Sequence, residues 1–217
     1  MSIEHLKGNM EPNMAGQTRI LKFTPYAAPI PNGVSVEKFG GLPVGFEQKD
    51  WPSSPTTLKP MTFVCQFRLN PVISDADSDL FGYFFMSPTG DHQNECLFDV
   101  EDFRKSESRL VISRHQGNMV LAKGPSLPVE LRVTWVEVID KNSYGDPLVT
   151  SKVGGKPGWV QDDETPIGPQ GLPLEFFAQI SSEDVGESSV EHHFVDSNIY
   201  LFVSSDLRFG QAIWQFS

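Results

Sequence analysis

The chain has 217 residues, of which 28 are acidic and 17 basic, giving a formal net charge of −11 at pH 7. That sign opposes nucleic acid and anionic lipid as partners, because the cations that neutralise phosphates are outnumbered. With 39% hydrophobic residues and 16 Phe, the apolar surface is enough to offset the entropy of ordering, which excludes intrinsic disorder.

Residues 1–18 are expected to form an N-terminal tail. The opening MSIEHLKGNMEPNM lacks the apolar segment of a signal peptide. Short runs rich in Phe, Val, Ile and Tyr follow at residues 20–23, 62–67, 80–86, 109–112, 131–139, 175–180, 198–203 and 212–216. Bounded by Pro, Gly, Asp and Ser, they predict strands. In the run at 131–139, Val133, Trp135, Glu137 and Ile139 alternate with Thr134, Val136 and Val138, a strand with two distinct faces. Helix signals are weak: residues 101–106 and 205–209 each predict a short helix or a turn. The 18 Gly and 17 Pro are scattered along the chain, leaving little room for long helices. No stretch approaches 18 apolar residues, so no transmembrane helix is expected. Cys65 and Cys96, 31 residues apart, fit no metal or redox spacing and read as small buried hydrophobes. Together these features point to the cytosol.

Three segments recur in order. Lys38-Phe39-Gly40-Gly41-Leu42-Pro43 matches Lys152-Val153-Gly154-Gly155-Lys156-Pro157 at an offset of 114. Phe63-Val64-Cys65-Gln66-Phe67 matches Phe176-Phe177-Ala178-Gln179-Ile180 at 113, and Tyr83-Phe84-Phe85-Met86-Ser87 matches Tyr200-Leu201-Phe202-Val203-Ser204 at 117. The expectation is an α+β, mostly β protein. Residues 19–217 would form one globular domain of two tandem copies of a β-rich unit, at about 36–112 and 150–217. Gln66 and Gln179 sit in otherwise apolar strands. A buried amide there must be hydrogen-bonded, so both are read as latches to the Gly-Gly corner of their own unit; the alternative is that they line a ligand pocket.

These residues carry a resemblance. Gly40-Gly41-Leu42-Pro43, Trp51-Pro52, Pro60-Met61-Thr62-Phe63 and Gln66 are similar to the first half of the YwqG-like family, a bacterial domain of unknown function. The second half resembles it through residues 154–161 (Gly-Gly-Lys-Pro-Gly-Trp-Val-Gln), Gln179, Asp196, Tyr200, Phe202, Asp206-Leu207 and Trp214-Gln215-Phe216-Ser217. The chain departs from the family where Phe194-Val195-Asp196-Ser197-Asn198 replaces Trp-Gly-Asp-x-Gly, and where Phe216 replaces a cysteine. The resemblance implies an α+β fold with an internal duplication and no established catalytic residues. It also implies kinship with immunity proteins encoded beside secreted bacterial toxins, including type VI secretion DNases.

The residues support little other chemistry. There is no G-x-S-x-G elbow, no P-loop and no H-E-x-x-H. His192-His193 lies near Glu187, Glu191 and Asp196, but adjacent side chains in an extended segment point opposite ways and rarely share an ion. Asp75-Ala76-Asp77-Ser78-Asp79 opens like a calcium loop, yet Leu80 and Met86 stand where the glycine and the bidentate Glu belong. Cys65 lies mid-strand and aligns with Ala178, which marks packing rather than nucleophilic catalysis. No catalytic residue, metal or cofactor is assigned.

The distribution of charge says more. Residues 69–103 hold eight acids, Asp75, Asp77 and Asp79 among them, and no Lys or Arg. Residues 157–207 hold ten, including Asp162, Asp163, Glu164, Asp184, Glu187 and Glu191, again with no Lys or Arg. Such stretches either keep the chain soluble or steer a basic protein partner. With the resemblance, those nine residues are the candidate contacts for a cognate toxin, a basic nuclease domain; the alternatives are a structural or regulatory binding protein with another partner, or an enzyme with a cleft between the two copies. Trp51 and Trp159 are either buried anchors of that contact or packing at the Gly-Gly-x-Pro corners.

Overall fold

The computed structural model describes residues 18–27, 36–69, 80–87, 107–114, 122–137, 150–186 and 196–216. Within them run β1 (Arg19–Pro25), β2 (Lys38–Gly40), β3 (Thr62–Arg68), β4 (Leu80–Met86), β5 (Ser108–Arg114), β6 (Glu130–Glu137), β7 (Lys152–Val153), β8 (Glu175–Ser181), β9 (Ser197–Val203) and β10 (Gly210–Phe216). A single helical turn, α1 (Ser182–Val185), follows β8, and a 3-10 turn spans Gln48–Asp50. The strands form one closed antiparallel barrel in the order β1-β6-β2-β3-β4-β5-β10-β9-β8-β7. The ring closes where Arg19 and Ile20 pair with Val153 and Lys152.

All eight predicted apolar runs are strands, residues 138–139 of the fifth lying outside the described set. In β6 the alternation divides inside from outside: Leu131 and Val133 are buried, while Arg132, Thr134 and Val136 are exposed. Residues 205–209 form a turn, and 101–106 lie outside the described residues.

The predicted architecture is corrected. The protein is not α+β: its one described α-helix is four residues long. Nor does it form two tandem units packed together. Strands β2–β5 and β7–β10 are arcs of a single continuous sheet, and no tandem duplication is shown. An isolated four-stranded sheet leaves two unpaired edges, and closure removes them all. β6 joins β1 to β2 on one side, and β5 meets β10 on the other.

The barrel is filled by its own side chains. Phe39, Phe67, Phe84, Phe177, Leu201 and Trp214 belong to one buried cluster. Phe67 on β3 and Phe177 on β8, half the strand order apart, meet edge to face at 6.2 Å between centroids. At that level the lumen is closed by side chains, and the accessible face of the barrel is its outside. Two outer layers lie there. Phe46, Met61, Phe63, Tyr83 and Phe85 form one, and Leu174, Tyr200, Phe202 and Ile213 the other. Trp51 packs on the first, 5.1 Å from Phe85; Trp159 packs on the second, stacked on Phe202 at 5.8 Å.

The covering segments are pinned by similar devices. Gln66 Oε1 accepts from Val44 N at 2.7 Å, its Nε2 donates to Val36 O at 2.8 Å, and Tyr83 Oη donates to Val44 O at 3.1 Å. Gln179 Oε1 accepts from Gly158 N at 2.8 Å, and Tyr200 Oη donates to Gly158 O at 2.7 Å. The glutamines are latches, as the sequence predicts, but they hold residues that flank the Gly-Gly pairs, Val36 and Val44 in one case and Thr150 and Gly158 in the other, rather than the glycines themselves. The corners need glycine: Gly40 has φ of 71°, and a Cβ there would sit 1.9 Å from Val129 O. Beside it, the buried Lys38 ammonium donates to Leu42 O at 2.8 Å and pairs with Glu130. Burial lowers the Lys38 pKa, and Glu130 opposes that shift.

Candidate functional site

The candidate interface is the segment 158–174, which crosses the outer face of β8, β9 and β10. Gln215 on β10 braces it. Its Oε1 accepts from Val160 N and Gln161 N, both at 3.1 Å, and its Nε2 donates to Asp162 O at 2.8 Å and Glu164 Oε2 at 3.0 Å. One buried amide thus fixes the run Asp162-Asp163-Glu164. Asp162 and Asp163 are exposed and Glu164 is half-buried. Asp163 Oδ1 accepts from Thr165 Oγ1 at 2.7 Å and Thr165 N at 2.9 Å. These bonds hold the Asp163 carboxyl below its ordinary pKa and keep it ionised. Among the described residues, the partners of these three carboxylates are Gln215 and Thr165, with no lysine or arginine.

Other acids gather at the same end of the sheet. Gln215 pairs with Asn198, which pairs with Ser181, so α1 begins two strands away, about 10 Å. Asp184 on α1 is exposed, and its Oδ2 accepts from Ser151 N at 2.6 Å. It tethers the start of β7 as well as carrying charge. Asp196 is exposed just before β9. Of the nine predicted contacts, the structure therefore brings Asp162, Asp163, Glu164 and Asp184 to one end. Asp75, Asp77, Asp79, Glu187 and Glu191 lie outside the described residues, as do His192 and His193.

The other end of this face is apolar. Residues 166–174 double back: Ile167 bridges Pro173, Gly168 N donates to Leu172 O at 2.8 Å, and Leu174 N donates to Pro166 O at 2.8 Å. The tip leaves Leu172 62% and Ile167 48% exposed. Sequence reasoning missed both, together with the bracing role of Gln215. Their signal is Thr-Pro-Ile-Gly-Pro-Gln-Gly-Leu-Pro, in which single apolar residues sit between turn formers with no strand period to bury them. Trp51 and Trp159 take the packing role: Trp51 Nε1 donates to Met61 O at 2.8 Å, and Trp159 lies against Tyr200 at 4.7 Å.

Among the described residues, no three His, Cys, Asp or Glu side chains are placed to hold a metal ion. Cys65 is fully buried, which pushes its thiol pKa up, away from a reactive thiolate. No described helix is long and apolar enough to cross a membrane. No family model, curated protein or solved structure matches the chain.

Proposed function

We propose that this chain is a cytosolic immunity protein. It binds a cognate toxin, a basic nuclease effector of a type VI secretion system, and neutralises it by direct contact through the outer face over β8–β10. The observation that carries this reading is one braced segment that pairs exposed Ile167 and Leu172 with carboxylates answered by no cation among the described residues. Each half has a separate task. Complementary charge raises the encounter rate and rejects wrong partners, while desolvated apolar contacts slow dissociation. Gln215 holds the segment in place before binding, which lowers the ordering cost of association. A surface of that sign suits a nuclease, whose substrate groove is built to receive phosphates. The YwqG-like motif residues support the same reading.

The test uses the product of the neighbouring gene. Co-expression of this chain should rescue cells poisoned by that protein, and the two should co-purify at physiological salt. Absence of both rescue and co-purification overturns the proposal.

A further inference from the structure

Resting on that reading, we infer that the cleft between the 166–174 loop and the 204–209 turn is an anchor pocket. It receives one bulky aliphatic side chain of the partner, flanked by that partner's Lys or Arg residues.

The cleft has a volume of about 290 Å³ and is lined by Leu172, Pro173, Leu174 and Phe209, with Asp206 and Arg208 among its polar lining. That size lies at the lower edge of small-molecule sites. The cleft is half open, so it suits a side chain presented by another surface. Both walls are internally bonded. Gly171 N donates to Gly168 O at 2.9 Å on one side. On the other, Ser204 N donates to Phe209 O at 2.8 Å, while Ser204 Oγ accepts from Phe209 N at 3.0 Å. A pocket with preformed walls binds without an ordering cost.

Charge complementarity names the occupant's flanks. Asp206 and Arg208 approach each other at 3.9 Å, so the polar lining is close to neutral. The surplus lies on the segment itself, where Asp162, Asp163, Glu164 and Glu175 occur with no Lys or Arg between residues 157 and 186. Five residue steps along β10 separate Gly210, beside the turn, from Gln215, beneath the acids; that is about 17 Å. A standard interface of about 800 Å² per partner spans both ends. An aliphatic anchor in the cleft therefore leaves its neighbouring cations over the acidic end.

The probes are three short capped peptides: Arg-Lys-Leu-Arg-Lys, its Ala-centred analogue, and the acidic Glu-Asp-Leu-Glu-Asp. Each is titrated into the ¹⁵N-labelled full chain at low salt. The expected result is shifts centred on residues 168–174 and 204–209, with the basic Leu peptide bound about tenfold more tightly than the Ala peptide, as burial of three extra carbons in a half-open cleft implies. Ser205→Trp, at an exposed turn position, should plug the cleft and abolish the Leu preference. Leu172→Ala, also exposed, should weaken that preference without unfolding the chain. Equal binding of both basic peptides, with shifts at residues 162–164, overturns the pocket and leaves the basic-partner reading standing. Equal binding of the acidic peptide overturns that reading and the inference with it. No shift with any peptide overturns both.

Discussion

A glutamine inside an apolar strand is stable only if its amide is fully answered, and Gln66 and Gln179 show how. Each is 0% exposed and holds the backbone of the segment that covers its own sheet face. Leucine in either place keeps the volume but orphans buried N–H and C=O groups, which costs about 1–3 kcal/mol. Gln66→Leu and Gln179→Leu should each lower the urea unfolding free energy by that order with the m-value unchanged. A loss below about 0.5 kcal/mol, within the noise of a neutral surface change, would reject the latch. Thr165 offers a second residue-scale test. Thr165→Val removes the hydroxyl donor to Asp163 and keeps the backbone N–H, so the Asp163 pKa should rise toward its ordinary value. The carboxyl ¹³C titration reads this directly, and an unmoved midpoint would show that the hydroxyl does not set the charge.

At the scale of elements, the joint with the fewest paired residues in the barrel is between β5 and β10. Their register rests on one pair, Gly210 with Leu110, supported by Ser108 Oγ donating to Ala212 O at 3.0 Å. Glycine is required there by contact: a Cβ on Gly210 would lie 2.7 Å from Leu110 Cδ2 and 3.1 Å from its Cβ. Leu110 is itself packed in the core at 6% exposure and cannot move freely. Gly210→Ala should therefore cost about 1–3 kcal/mol as an overpacked site. Hydrogen exchange should accelerate first at residues near the seam rather than in the β8–β9 ladder; uniform acceleration would show that the seam is not a separate weak point. This joint also explains what was hidden in the sequence. Strand identity is local, so Phe, Val and Tyr runs with Gly and Pro boundaries disclosed eight strands. Which edges meet is not local, and nothing in the residues around Gly210 names Leu110, 100 positions earlier. β2 and β7, at three and two residues, are too short to show a period and merge into the Gly-Gly corners. The likeness of those corners suggested paired units, but corner chemistry fixes how a segment folds back, not how two arcs join. The candidate site divided in the same way. Its acids were legible as charge without counterions, whereas the exposure of Ile167 and Leu172 depends on the internal bonds of the 166–174 loop, and the bracing of residues 160–164 depends on Gln215, more than 50 residues downstream.

For the whole molecule, the deciding electrostatic quantity is where the charge stands rather than its sum. At physiological ionic strength the Debye length is about 8 Å. Of the net −11, only acids near the contact face then steer a partner effectively. Two charge-altered variants separate the possibilities. The first reverses Asp162, Asp163 and Glu164 to Lys, moving the formal charge from −11 to −5. The second reverses Glu47 and Asp50, which lie on the other covering segment beside Trp51. If the face over β8–β10 is the docking surface, the first variant should slow association with the toxin at low salt at least tenfold, toward the unsteered range of about 10⁵–10⁶ M⁻¹s⁻¹, and flatten its salt dependence. Dissociation should change little, since Asp162 and Asp163 are exposed and gain little from close pairing. At physiological ionic strength the second variant should leave association within about twofold of the parent, because a charge more than a Debye length of about 8 Å from the contact is then screened. Equal slowing by both would mean that total charge governs the encounter, and no slowing by the first would place the docking surface elsewhere on the barrel.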